Sequence, residues 1–120
     1  MRTDPALHLH LFGIRNCDGC RRAVKWLRSN KVPHTLHDFR EEGLSRDMVD
    51  AWLASPHGPM LLNRRSATWR QLSTAQRQAA ELDPASLIMN HPTLLKRPVI
   101  TDGANLLAVG FEPARLEHCI

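Results

Sequence analysis

Cys17 and Cys20, in the run Asn16-Cys17-Asp18-Gly19-Cys20, are the side chains best suited to chemistry. They follow an apolar stretch, Leu7-His8-Leu9-His10-Leu11-Phe12-Gly13-Ile14, and precede a helix-forming one. A cysteine at such a strand-to-helix junction lies among backbone N–H groups without helical partners. The helix dipole also favours negative charge there, so the thiolate is stabilised. A second cysteine one turn on shares the same helix face, close enough to attack a mixed disulfide formed at the first. The spacing reads as a nucleophile, Cys17, and a resolving thiol, Cys20.

The elements that must position this pair follow from periodicity. Leu7, Leu9 and Leu11 alternate with His8 and His10, a strand pattern ending at Gly13. From Asp18 onward Ala23, Val24, Trp26 and Leu27 recur at helical spacing among Arg21, Arg22, Lys25 and Arg28, until Asn30 and Pro33 close the helix. His34 to Phe39 reads as a second strand. After Gly43 the pattern turns helical: Ser45 caps a helix stopped by Pro56, Leu61 to Arg65 reads as a helical turn, and Gln71 to Glu81 and Pro84 to Asn90 as further helices. Strand signals return at Pro98 to Thr101 and Leu106 to Val109, joined by Asp102-Gly103-Ala104-Asn105, and a short helix over Glu112 to His118 closes the chain. The expected architecture is α/β: β-α-β, a helical insertion at about 43–90, then β-β-α with a mixed four-stranded sheet, all in a single domain over 1–120.

Composition narrows the function. The 120 residues hold 16 basic and 12 acidic side chains, a net charge of +4. That mixed surface, with 5% aromatic residues and no tyrosine, gives no stacking platform for nucleic acid, and none is expected to bind directly. No run approaches the roughly 20 apolar residues of a membrane span, and Met1-Arg2-Thr3-Asp4-Pro5 lacks a secretory apolar core. Three cysteines do not make a secreted disulfide framework, so a cytoplasmic location is expected. A structural metal site needs four ligands, and His8, His10, His118 and Cys119 are too scattered to complete one with the cysteine pair; no metal is expected. Cys119, beside the C-terminus, reads as a frayed-tail thiol. Trp26 and Trp52 read as core residues, and Trp69 as packing the insertion on the sheet.

The element order, with a Cys-x-x-Cys at the first strand–helix junction and a proline opening the third strand, resembles the thioredoxin fold. More closely it resembles the arsenate reductase (ArsC)/Spx family. The residues that carry this are Phe12-Gly13-Ile14-Arg15-Asn16-Cys17-Asp18 with Arg21, Ala23 and Trp26-Leu27; Leu61 to Ser66 with Thr68-Trp69-Arg70; and His91-Pro92 with Leu94 to Ile100. The resemblance runs from about Leu7 to Phe111 and is nearest to the YffB subgroup, which implies a glutathione-dependent thiol reductase with glutathione as cosubstrate. An Spx-type regulator that binds the RNA polymerase alpha subunit is the alternative it implies.

The resemblance also implies site residues beyond the cysteines. Arg97 and Arg65 are the anion-binding positions, with Arg64 solvated. The Arg97-Pro98 peptide is expected cis, which would turn Arg97 toward Cys17. Asn16 shapes the loop before the nucleophile. Asp18, acidic in the first helical turn, is expected to oppose the thiolate. Arsenate reductases of the family carry arginines where this chain has Asn63 and Val109-Gly110. Arsenate is therefore the less favoured substrate, since a multiply charged oxyanion needs several preorganised donors.

Overall fold

The computed structural model describes residues 7–120, and the opening Met1 to Asp4 and Pro5 of the sequence reading lie outside them. The chain divides into two compact units, one formed by Met1–Gly43 with Arg97–Ile120 and the other by Leu44–Lys96.

In the first unit, strand β1 (Leu9–Gly13) leads into helix α1 (Asp18–Ser29) and strand β2 (His34–Asp38). Leu9 and Leu11 point to the core because the side-chain period of a strand is two. Strands β3 (Val99–Thr101) and β4 (Leu106–Val109) complete a sheet of order β2-β1-β3-β4. The β1–β2 pair is parallel, Leu11 opposite Leu36, whereas β3 runs antiparallel to both β1 and β4. The mixed four-stranded sheet is the one expected. Ala23 and Leu27 of α1, with Leu116 near the chain end, close one sheet face over Leu9, Leu11 and Ile100.

Phe39 leaves the strand it was assigned to. It begins a one-turn helix, α2 (Phe39–Glu42), because the Asp38 carboxylate caps that turn by accepting from the Arg40 N–H at 2.9 Å.

The second unit carries helix α3 (Arg46–Ala54), capped by Ser45, then a 3₁₀ turn at Gly58–Met60 and helices α4 (Ala67–Gln71), α5 (Thr74–Leu82) and α6 (Pro84–Asn90). It extends past Asn90 through a 3₁₀ turn at Pro92–Leu94 to Lys96. Two sequence expectations change here. Leu61 to Arg65 is not helical: Leu62 forms an antiparallel bridge with Leu95, and the Asn63 N–H donates to the Leu94 carbonyl at 2.8 Å. Gln71 to Glu81 is not continuous either, since Ser73 opens α5 with a capping box to Gln76 and so ends α4 at Gln71. Trp69 packs on Leu72, Ala80, Leu87 and Leu94 inside this unit, flanked by the guanidiniums of Arg64 and Arg77.

The closing helix, α7 (Pro113–Glu117), follows Glu112 as its N-cap. Cys119 is not frayed. Its thiol donates to the Arg115 carbonyl at 3.4 Å, and burial pushes its pKa up.

Candidate active site

Cys17 is the N-cap of α1, with extended backbone (φ −130°, ψ 128°). Its thiol makes no regular capping hydrogen bond, and partial burial opposes its ionisation. That penalty is outweighed by the Cys20 backbone N–H and thiol, the positive charge of Arg97 and the Gly19 N–H, so the net direction of the Cys17 pKa is down. Cys20, one turn on and 0% exposed, behaves oppositely. Burial, above the favourable Ile14 N–H, and the neighbouring Cys17 push its pKa up to about 11. The two thiols are free, and Cys17 gives up its proton more readily than its buried partner Cys20.

Two glycines explain why the pair sits so tightly. A Cβ at Gly13, at the end of β1, would run into Cys20 Sγ and would stand 3.8 Å from both Arg97 Cβ and Pro98 Cα. A Cβ at Gly19 would lie 3.1 Å from the Arg97 carbonyl oxygen. The Arg97-Pro98 segment therefore passes directly over the first turn of α1. Its peptide bond is cis, as expected, and the Pro98 carbonyl accepts from the Gly110 N–H at 2.8 Å. In the sequence Gly13 marks the end of the first strand and belongs to the family-like run Phe12 to Asp18; the close approach that requires glycine there is a tertiary fact.

The loop between β1 and α1 is held from below by a residue that the sequence reading passed over. Asp38, 5% exposed, accepts from the Arg15 N–H at 2.9 Å as well as from Arg40. The Arg15 N–H bond is the main reason its carboxyl titrates below the usual range. One carboxylate thus ties the nucleophile loop to the end of β2. Its signal in the sequence was its place as a polar residue ending a strand before a helical turn.

The other expected residues fall as follows. Asn16 is exposed and accepts a hydrogen bond from the Arg21 guanidinium. Asp18, 93% exposed, pairs with Arg21 at 3.7 Å. Arg65 belongs to the second unit, in the turn after the Leu62 bridge, where its N–H donates to Asn63 Oδ1 at 3.1 Å. The Asn63 side chain is thus used locally. Arg64 pairs with Glu81 at 3.5 Å. Among the described residues, no group of three or more His, Cys, Asp or Glu side chains is arranged to hold a metal ion. His10 and His37 instead stack across β1 and β2, His10 Nδ1 lying 2.9 Å from His37 Nε2, with the His8 ring tilted by 46° against His10.

The family model of the ArsC family matches residues 12–119. The chain belongs to the ArsC family. It is 35% identical to an uncharacterized protein of Haemophilus influenzae over 102 residues, covering 84% of this chain and 89% of that one. It is 30% identical to the global transcriptional regulator Spx of Staphylococcus aureus, covering 84% and 78%. Among solved structures it superposes on a protein named YFFB (PA3664) with a TM-score of 0.84 at 34% identity, over 92% of this chain and 96% of that one. An ArsC-related protein of Brucella melitensis gives 0.74 at 33% identity, over 97% of each chain. The arsenate reductase of Vibrio cholerae, at 13% identity and a TM-score of 0.74, shares the fold. This ArsC-family chain thus has the thioredoxin-like α/β architecture of arsenate reductases and of Spx. No helix among its described residues is long and apolar enough to cross a membrane.

Proposed function

We propose that this ArsC-family protein is a glutathione-dependent thiol–disulfide reductase of the cytoplasm, with Cys17 as the nucleophile. The observation that carries this reading is the placement of the two free cysteines, Cys17 as the N-cap of α1 beside the charge of Arg97 and Cys20 buried one turn on, which lowers the pKa of the first and raises that of the second. A thiolate attacks best when its pKa lies near the ambient pH, and a protonated neighbour does not compete with it.

In the first step the Cys17 thiolate attacks one sulfur of a disulfide RS–SR′. The Cys17–SR bond forms, the S–S bond breaks and R′S⁻ leaves to take a proton. Cys20, once it gives up its proton, attacks Cys17 Sγ, releases RS⁻ and leaves a Cys17–Cys20 disulfide; glutathione can perform the same displacement in its place. Two glutathione molecules return the pair to dithiol and leave as one glutathione disulfide. Arg97 favours the Cys17 thiolate and, with Asn16 and the backbone around Pro98, is assigned to the carboxylates and amides of the bound peptide; Arg65, in the second unit, is the further anion-binding residue that the resemblance implies. Arsenate fits less well: Asn63 and Val109-Gly110 supply none of the guanidiniums an oxyanion needs.

The test is the intact mass of reduced protein after exposure to glutathione disulfide, wild type beside Cys20→Ser. A glutathione adduct on Cys17 that persists in the variant and resolves to an internal disulfide in the wild type supports the reading. A Cys17→Ser variant with full reductase activity refutes it. The 30% identity to Spx favours one other reading, a redox-responsive regulator whose Cys17–Cys20 disulfide changes its affinity for the RNA polymerase alpha subunit. That reading requires polymerase to be recovered on the immobilised protein in one redox state.

A further inference from the structure

The β1–β2 pair carries a chain of titratable groups that the thiol chemistry does not use. Leu9 and Leu11 turn to the core, so His10 and Phe12 turn to the opposite face of β1, and Thr35 and His37 share that face on β2. In the register His10 lies opposite Thr35 and His37 opposite Phe12, which makes the two histidines diagonal neighbours. Their ring centroids are 5.2 Å apart, and His10 Nδ1 lies 2.9 Å from His37 Nε2. His37 also stacks on Phe12 at 4.7 Å, and its Nδ1 lies 2.9 Å from Oε1 of Glu42, in the single turn of α2.

The carboxylate at one end fixes the protons along the chain. An ionised carboxylate only accepts, so His37 Nδ1 carries a proton and donates it to Glu42. In a neutral ring the other nitrogen is then an acceptor. His37 Nε2 therefore accepts from His10 Nδ1–H, and His10 Nε2 is left as a lone pair. One added proton breaks neither bond. It enters at His10 Nε2, the Nδ1 proton of His10 passes to His37 Nε2, and the charge settles on His37, beside Glu42. The His10–His37 bond reverses its direction, and the His37–Glu42 bond becomes an ion pair at 2.9 Å. A second proton leaves two N–H groups pointing at each other, and the His10–His37 bond is lost.

The surroundings of His10 oppose that second proton. The His8 ring stands 5.0 Å from it between centroids, anchored through Nε2 to Thr35 Oγ1 at 2.7 Å. From β3 the facing residue is Thr101, which is uncharged. In the β3–β4 turn a Cβ at Gly103 would stand 3.9 Å from His10 Nε2, and the Asp102 carboxylate is engaged by the Ala104 and Asn105 N–H groups. At α2 Glu41 pairs with Arg15, Asp38 is engaged by its two backbone donors and Arg40 is exposed, so Glu42 is the carboxylate that meets the pair. Burial above all, then the nearness of His37 and His8, holds the His10 pKa below its ordinary value of 6.5. We propose that Glu42, His37 and His10 form a two-stage proton switch, in which the first proton tightens α2 on β2 through an ion pair and the second breaks the side-chain link between β1 and β2. Asp38, which caps α2, also holds the Arg15 N–H, so the switch sits on the support of the nucleophile loop. It does not depend on the reductase reading.

Long-range ¹H–¹⁵N correlation spectra of the ¹⁵N-labelled protein report which imidazole nitrogens carry protons, and are recorded from about pH 8 down to about pH 4.5. At the alkaline end His10 and His37 are both expected in the Nδ1–H form, which a histidine free in water disfavours. On acidification His37 should become imidazolium while His10 changes to the Nε2–H form, and His10 should take its own proton about one pH unit or more lower. Glu42→Gln, at an exposed position, should move the first uptake down by roughly a few tenths of a pH unit and release His10 from the Nδ1–H form. His10→Phe keeps a ring at the site but cannot take the second proton. The urea midpoint of the wild type should fall as pH drops below 6.5, because His10 holds its proton less tightly folded than unfolded, and that of His10→Phe should fall less. If His10→Phe does not fold, the Glu42→Gln spectra decide. An Nε2–H form of His10 at the alkaline end, both rings taking protons in one step, spectra indifferent to Glu42→Gln, or the same fall in midpoint in His10→Phe would overturn the proposal.

Discussion

Gly13→Ala offers a sharp test of how the cysteine pair is packed. The residue sits at the end of β1 on the core side, and a Cβ there would collide with Cys20 Sγ, which is itself 0% exposed and has nowhere to retreat. Overpacking of this kind typically costs about 1–3 kcal/mol. The remaining neighbours, Arg97 Cβ and Pro98 Cα, would stand at 3.8 Å, an ordinary contact distance. The clash therefore has one source. Removing that source with Cys20→Ala should reverse the sign, because alanine in a strand position otherwise gains about 0.5–1 kcal/mol over glycine in backbone entropy. Wild type, the two single variants and the double variant, unfolded in urea under reducing conditions, form a double-mutant cycle. The expected coupling is about 1.5–4 kcal/mol, the sum of the lost clash and the recovered propensity. A Gly13→Ala cost that is the same in both backgrounds, or absent in the wild type, would refute the placement of Cys20 Sγ against Gly13.

Three further outcomes are expected. Arg97→Ala raises the Cys17 pKa, because it removes a positive charge that favours the thiolate, so the pH profile of iodoacetamide alkylation moves to higher pH; a superimposable profile would remove Arg97 from the site. Asp38, whose folded pKa lies below the ordinary value of 3.8, contributes stability that is present above that value and lost as pH falls through the folded pKa. Asp38→Asn should therefore be less stable at neutral pH and show a flatter fall in stability below pH 3.8 than wild type, and parallel curves would show that the Arg15 and Arg40 bonds do not depend on its charge. Leu27→Ala, at a fully buried position of α1, should cost about 2–5 kcal/mol by urea unfolding, and a loss below about 1 kcal/mol would place the core elsewhere.

Much of this arrangement was legible along the chain because its signals are local. Alternation of Leu9 and Leu11 with histidines reports a strand with one buried face, and the apolar spacing of Ala23 and Leu27 reports the helix that covers it. Ser45 and Asn30 mark helix ends through hydrogen bonds a few residues long. The misreadings arose where a distant partner decides. Leu61 to Arg65 has helix-compatible residues, but Leu62 bridges to Leu95, far away in the chain. Phe39 looks like the end of a strand until Asp38 is seen to serve two backbone donors at once. Cys119 looked like a loose tail and is tied to Arg115.

For the site, the sequence by itself determined the pair of thiols and the helix N-terminus on which Cys17 stands, since the dipole and free N–H groups follow from the strand-to-helix order alone. Arg97, beside Pro98, was legible through the family resemblance. Only the tertiary structure decided which thiol ionises more readily. That asymmetry comes from burial of Cys20 against Gly13 and from the approach of Arg97, and the second depends on β3 returning beside β1 from the far end of the chain. Desolvation and charge act through space, so residues 80 positions apart in sequence set a pKa that no local pattern records.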